Sequence, residues 1–293
     1  MRPRAEPISS ASAGQLLQFQ LMAVQILDAA MGTELAARGL ALDAPAWSAR
    51  AIDEAPELIA AIHADYARAG ATLHTANTFR TQPRVLGDGW RRAALQAVRI
   101  ARDSVPRGHR VLGSMAPVED CYRPDRSPGE AARAEHAALA SALADAGCDL
   151  LLCETFAHPV EARVACEEAL QTGLPVWLSL SAGPFGELLT PAEVGALARS
   201  AGQIGVERVL VNCTSASMIQ PYVAGLAGLG LPFGVYANAG RVDEGLGWGT
   251  VGPQGPRAYA ALARRWVEAG ASVVGGCCGT GPLHVRALAD AFG

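Results

Sequence analysis

Two cysteines stand side by side in "SVVGGCCGTG", residues 272–281. Thiolates are soft ligands for zinc and strong nucleophiles, so Cys277 and Cys278 are candidates for chemistry. Adjacent cysteines also have two blander readings, a core position for a small residue or a strained disulfide between neighbours. The geometry of a disulfide makes the second less favourable. A third cysteine, Cys213, follows the apolar run "RVLVN". Three thiolates suit Zn²⁺, and three protein ligands leave a fourth position open, as in catalytic zinc sites. This spacing does not decide for metal by itself, so its weight depends on whether the chain brings Cys213 to the same place.

Two acids, Asp28 in "QILDAAMG" and Glu154 in "DLLLCETF", end apolar runs in the same way. Thr75, Asn77, Ser114, Ser181, Asn212 and Asn238 end others. The histidines are His63, His74, His109, His136, His158 and His284, and none forms H-x-H or H-E-x-x-H, which argues against a histidine-based hydrolytic zinc site. His63 and His136 read as surface or packing residues of helices. Cys148, Cys153 and Cys166 read as small core residues, and Cys121, in "EDCYRPDRSPGE", reads as exposed.

The elements that must position these residues follow one rhythm. Eight short apolar runs begin near residues 25, 72, 110, 149, 175, 208, 232 and 272. Helical stretches such as 56–70, 128–148 and 191–202 lie between them, several opening on proline and closing on glycine. Eight strand–helix units predict an α/β fold, a single-domain (β/α)8 TIM barrel over residues 22–293. The competing open, doubly wound sheet carries a G-x-G-x-x-G turn after its first strand. Here that turn reads "DAAMGTEL". In a TIM barrel the strands' C-terminal ends form the active face, so Asp28, Glu154, Cys213, Cys277 and Cys278 are expected to gather at one mouth.

Composition narrows the chemistry. The chain has 293 residues and no lysine, all 24 basic residues being arginine, which excludes Schiff-base catalysis and lysine-anchored pyridoxal phosphate. A net charge of −4 without a basic stripe argues against nucleic acid, and no apolar run is long enough to span a bilayer. Seven cysteines, an odd number, fit a reducing compartment, and a cytoplasmic location is expected. Residues 1–21 read as a flexible tail, with Met22 as an alternative start. The sequence sets no oligomeric state.

The stretches "ILDAAMGTELAARG", "TANTFR", "LLCETF", "VNCTS", "YANAG" and "GGCCGTGPLHVRAL" together resemble the homocysteine S-methyltransferase family over about residues 25–293. That resemblance implies zinc held by Cys213, Cys277 and Cys278, a homocysteine ammonium held by Asp28 and Glu154, Thr75 lining the substrate pocket, and Asn212 and Asn238 as supporting residues. The implied reaction is methyl transfer to the homocysteine thiol, giving methionine. The chain has no evident room for a cobalamin or folate module, which favours a small cationic donor, S-methylmethionine first and betaine second. Selenium analogues remain as acceptors. Two rivals stay open: a lyase or isomerase that cradles a phosphate on Gly275 and Gly276, and a non-enzymatic zinc-storing or thiol-sensing protein.

Overall fold

The computed structural model describes residues 24–249 and 252–293; the expected tail and Met22 lie outside them. Eight parallel strands form one sheet: β1 (Gln25–Ile26), β2 (Leu73–Thr75), β3 (Arg110–Met115), β4 (Leu150–Phe156), β5 (Val176–Leu180), β6 (Arg208–Ser215), β7 (Phe233–Asn238) and β8 (Val273–Gly276). Their order is β1-β8-β7-β6-β5-β4-β3-β2. The two ends of that order meet through a parallel bridge between Leu27 and Leu73, with Asp28 N donating to Leu73 O at 2.9 Å. The sheet therefore closes into a (β/α)8 barrel, and the open-sheet alternative falls away.

Strand alternation divides the core in two. Leu27, Leu73, Leu112, Leu150, Leu152, Trp177, Leu210, Tyr236 and Val273 form one buried cluster filling the barrel. Their neighbours in sequence, including Ile26, Val111, Leu151, Val209, Val235 and Val274, join a separate cluster with the helices outside. A period of two sends successive side chains to opposite faces, so each strand feeds both clusters.

The helices begin and end as their punctuation suggests. Pro56–Ala69 starts on proline and ends at Gly70 with φ 113°, a conformation that a side chain would strain. Pro191–Ile204 carries a Thr190–Glu193 capping box. The expected helix over 128–148 opens with a 3₁₀ turn, Gly129–Ala132, which runs into the helix Arg133–Asp145; Gly129, with φ 57°, marks where the turn begins. No helix among the described residues is long and apolar enough to cross a membrane.

Candidate active site

Above the apolar plug, the same alternation raises a polar layer. Two residues beyond Leu73, Leu112, Leu152, Trp177 and Leu210 come Thr75, Ser114, Glu154, Ser179 and Asn212. A cavity of about 700 Å³ opens over this layer, lined by Asp28, Thr75, Ser114, Glu154, Cys213, Cys277 and Cys278 among others. The three cysteines and two acids singled out in the sequence therefore do meet at one mouth.

Cys213 does not arrive there by simple alternation. Asn212 faces inward, which would send Cys213 outward. The pairing of β6 with β7 is irregular between Asn212 and Ser215, and Cys213 has φ 51°. This bulge turns its thiol to 2.9 Å from the Cys277 sulfur. A non-glycine residue in the left-handed region costs on the order of 1–3 kcal/mol and persists only where the surroundings impose it. Thr155, next to Glu154, has φ 64° beside a matching irregularity in β4.

Cys277 and Cys278 lie just past β8, held by backbone bonds to β7. Cys277 N donates to Ala237 O at 2.8 Å, and Ala239 N donates to Cys278 O at 2.9 Å. The preceding glycines are required by packing rather than by turning. A Cβ on Gly275 would lie 2.7 Å from Leu27 Cβ, and one on Gly276 would lie 2.2 Å from Thr280 Oγ1, neither residue having a left-handed φ.

The three sulfurs all lie within 4.8 Å of one another. Four ligands around zinc, with Zn–S near 2.3 Å, place sulfurs about 3.8 Å apart, so small side-chain adjustments would bring these three onto one ion. The ionisation balance points the same way. Cys213 is pushed well above the ordinary thiol range by its hydrogen bond with Cys277 and then by burial. Crowded, buried thiols resist becoming anions together, and a divalent cation among them reverses that balance.

Asp28 is buried and accepts from Thr75 twice, from N at 2.8 Å and from Oγ1 at 3.1 Å. Burial raises its pKa well above the usual carboxylate value; the Thr75 bonds oppose this, and nearby Glu154 adds to it. Glu154 is raised mainly by burial, against hydrogen bonds from Ser114 Oγ and from Tyr236 Oη, the latter at 3.0 Å. Neither acid has a cationic partner among the described residues. Thr75 thus lines the cavity and also clamps Asp28.

Asn212 ties three strands together. Its Oδ1 accepts from Ser179 Oγ at 2.8 Å and its Nδ2 donates to Thr155 Oγ1 at 2.8 Å. Asn238 is buried outside the cavity lining, and its Oδ1 has no partner among the described residues.

Cys121 is buried and lines the cavity, correcting its reading as exposed, because the loop after β3 folds back over the mouth. Its neighbour Tyr122 lines the same cavity as Cys213 and Cys278, and its hydroxyl is raised by burial and then by those thiols. Sequence reasoning also missed Tyr236, Trp47 and Phe79. Strand phase marks Tyr236, two residues after Gly234 on β7, as facing inward. The two other aromatics, Trp47 opening the 3₁₀ turn Trp47–Arg50 and Phe79 in a turn after β2, carry no such signal; their rings pack edge-on at 6.0 Å. Cys148, Cys153 and Cys166 are core residues as expected, and both His63 and His136 are buried packing residues rather than surface ones.

The homocysteine S-methyltransferase family model matches residues 25–292. A homocysteine S-methyltransferase of Escherichia coli is 32% identical over 296 residues, covering 90% of this chain and 94% of that protein. Homocysteine S-methyltransferase 4 of Zea mays is 28% identical, covering 97% and 94%. The metallated form of the Escherichia coli homocysteine methyltransferase MmuM superposes with a TM-score of 0.75 at 29% identity, covering 94% of this chain and 98% of that one.

Proposed function

The chain belongs to the homocysteine S-methyltransferase family, and from that premise we propose that it moves a methyl group from a small cationic donor to a homocysteine thiol bound at a zinc held by Cys213, Cys277 and Cys278. The observation that carries the reading is the pair of buried acids, Asp28 and Glu154, without cations, beside three converging thiols. Buried carboxylates lacking a counter-charge are costly, and an arriving ammonium relieves that cost.

In this reading Asp28 and Glu154 receive the homocysteine ammonium. Thr75 fixes the first acid and Ser114 with Tyr236 fixes the second, so the anchor is set before substrate arrives. Cys213, Cys277 and Cys278 would hold the zinc, which would supply a Lewis acid that lowers the pKa of the substrate thiol. With the amino end anchored, the sulfur is held toward the donor, an orientation effect of several kcal/mol. No side chain is needed as a general base once the thiol proton is lost on binding.

The donor would enter beside Trp47, Phe79 and Tyr122, whose ring faces attract sulfonium or quaternary ammonium groups. S-methylmethionine is favoured over betaine because it brings an ammonium of its own. Asp120, which lines the cavity without an ion-pair partner among the described residues, would receive it. The product is then methionine. A donor screen tests the proposal: methionine formed from homocysteine with each donor, and zinc per chain, for wild type and Cys278→Ala. Full turnover by a zinc-free Cys278→Ala protein would sink the mechanism.

A further inference from the structure

Behind Asp28, away from the three cysteines, lies a second group of potential ligands. His63 projects from the helix Pro56–Ala69 and His74 from β2. One ring nitrogen from each and one Asp28 carboxylate oxygen all lie within 4.8 Å of one another, and all three residues are buried. Among the described residues, neither ring nitrogen of His63 has a hydrogen-bond partner, and neither does Nδ1 of His74. Buried polar atoms are rarely left so, since each costs about 1–3 kcal/mol. Three on two adjacent rings call for an occupant.

The chemistry of the group selects a class of occupant. Burial depresses His63 to about 4 and His74 to about 3, so both rings keep a free lone pair at neutral pH. Two neutral imidazoles and a carboxylate form a set suited to zinc and its neighbours in the first transition row. Zn–N distances near 2.0–2.1 Å place ligand atoms about 3.3 Å apart, a modest contraction of the observed cluster. His74 Nε2 meets His109 Nδ1 at 3.0 Å with the rings stacked, which fixes the His74 ring. Such an outer partner is what metal-binding histidines usually have. Asp28 also faces the cavity, which provides the entry path.

We propose that Asp28, His63 and His74 form a second metal site, for Zn²⁺ or a similar divalent ion, and that filling it excludes homocysteine. An Asp28 carboxylate bound to a metal cannot also serve the substrate ammonium. The exclusion rests on the role proposed above for Asp28; the metal site itself does not.

Metal counting separates the two. Wild-type protein equilibrated in zinc buffers of rising free concentration is expected to take up about two zinc ions per chain, the second more weakly. His74→Leu and His63→Leu should each stop at about one, with near-ultraviolet circular dichroism checking that they remain folded. In Cys213→Ser/Cys278→Ser protein, Co²⁺ should give d–d absorption without a thiolate charge-transfer band. At free zinc ten times the weaker constant, the apparent KM for homocysteine should rise about tenfold with kcat unchanged. A wild type saturating at one zinc overturns the site, as does a second zinc that survives in the folded His74→Leu protein. Two zincs with an unchanged KM overturn the exclusion. Absence of methyl transfer with only the first zinc bound counts against the proposed function alone.

Discussion

The Tyr236 hydroxyl donates to Glu154 Oε2 at 3.0 Å, joining β7 to β4 across the barrel mouth rather than between sheet neighbours. With Ser114 on the other oxygen, both Glu154 oxygens are engaged, so the acid is held in one position. Tyr236→Phe removes a bond to a charged group, worth about 1.5–3 kcal/mol. The expected outcome is a rise in the homocysteine KM of roughly 10- to 100-fold with zinc per chain unchanged, read by steady-state kinetics and metal analysis.

Asp28→Asn and Glu154→Gln should discriminate between acceptors. Each removes a buried charge proposed to face an ammonium, a loss of about 2–5 kcal/mol, so kcat/KM for homocysteine should fall by at least about 30-fold. A mercapto acid of the same length without the amine should be affected much less. Equal losses on both acceptors would remove the acids from substrate binding.

Removal of metal is the third test. Cys213→Ala, Cys277→Ala and Cys278→Ala should each lower zinc affinity and abolish methyl transfer, since two thiolates hold the ion less firmly than three. A chelator should do the same to wild type, reversibly on adding zinc back. Methionine formation that persists after verified loss of zinc would contradict the assignment.

Gly275→Ala tests the packing beneath the cysteines. Its Cβ would meet Leu27 Cβ at 2.7 Å and the Asp28 carbonyl oxygen at 3.0 Å, both on the segment that closes the barrel. Overpacking of this kind costs about 1–3 kcal/mol. Thermal unfolding should show a lower midpoint, and zinc should bind more weakly because β8 shifts.

His63 makes stability depend on pH. Its pKa is about 4 in the folded chain and 6.5 ordinarily, so between those values the unfolded chain binds a proton that the folded chain refuses. The contribution is fully present above pH 6.5 and is lost as pH falls toward 4. By pH 5 the loss is roughly 2 kcal/mol. Denaturant unfolding in chelator should show wild type losing about 2 kcal/mol relative to His63→Leu between pH 7 and pH 5; a difference that stays constant with pH would contradict it.

Much of this was legible along the chain because it depends on local period and residue type. Eight apolar runs alternating with capped helices predict a barrel, and the strand ends then name Asp28, Glu154 and the cysteines together. The burial of Cys121 was hidden, since a loop's path over the mouth has no period to read. Likewise nothing along the helix Pro56–Ala69 marks His63 as sharing a cluster with Asp28 and His74.

The sequence by itself determined the repeat, the absence of lysine chemistry and the set of thiols and acids at the strand ends, all consequences of composition and spacing. Tertiary structure decided how those groups face one another. Alternation alone would turn Cys213 away from its partners, and only the irregular pairing of β6 with β7 brings its sulfur to Cys277. Glu154 is likewise fixed by a tyrosine 82 residues distant in the chain. Both depend on closure of the barrel, which brings non-neighbouring strands to within a hydrogen bond across one mouth, and no local pattern carries that distance.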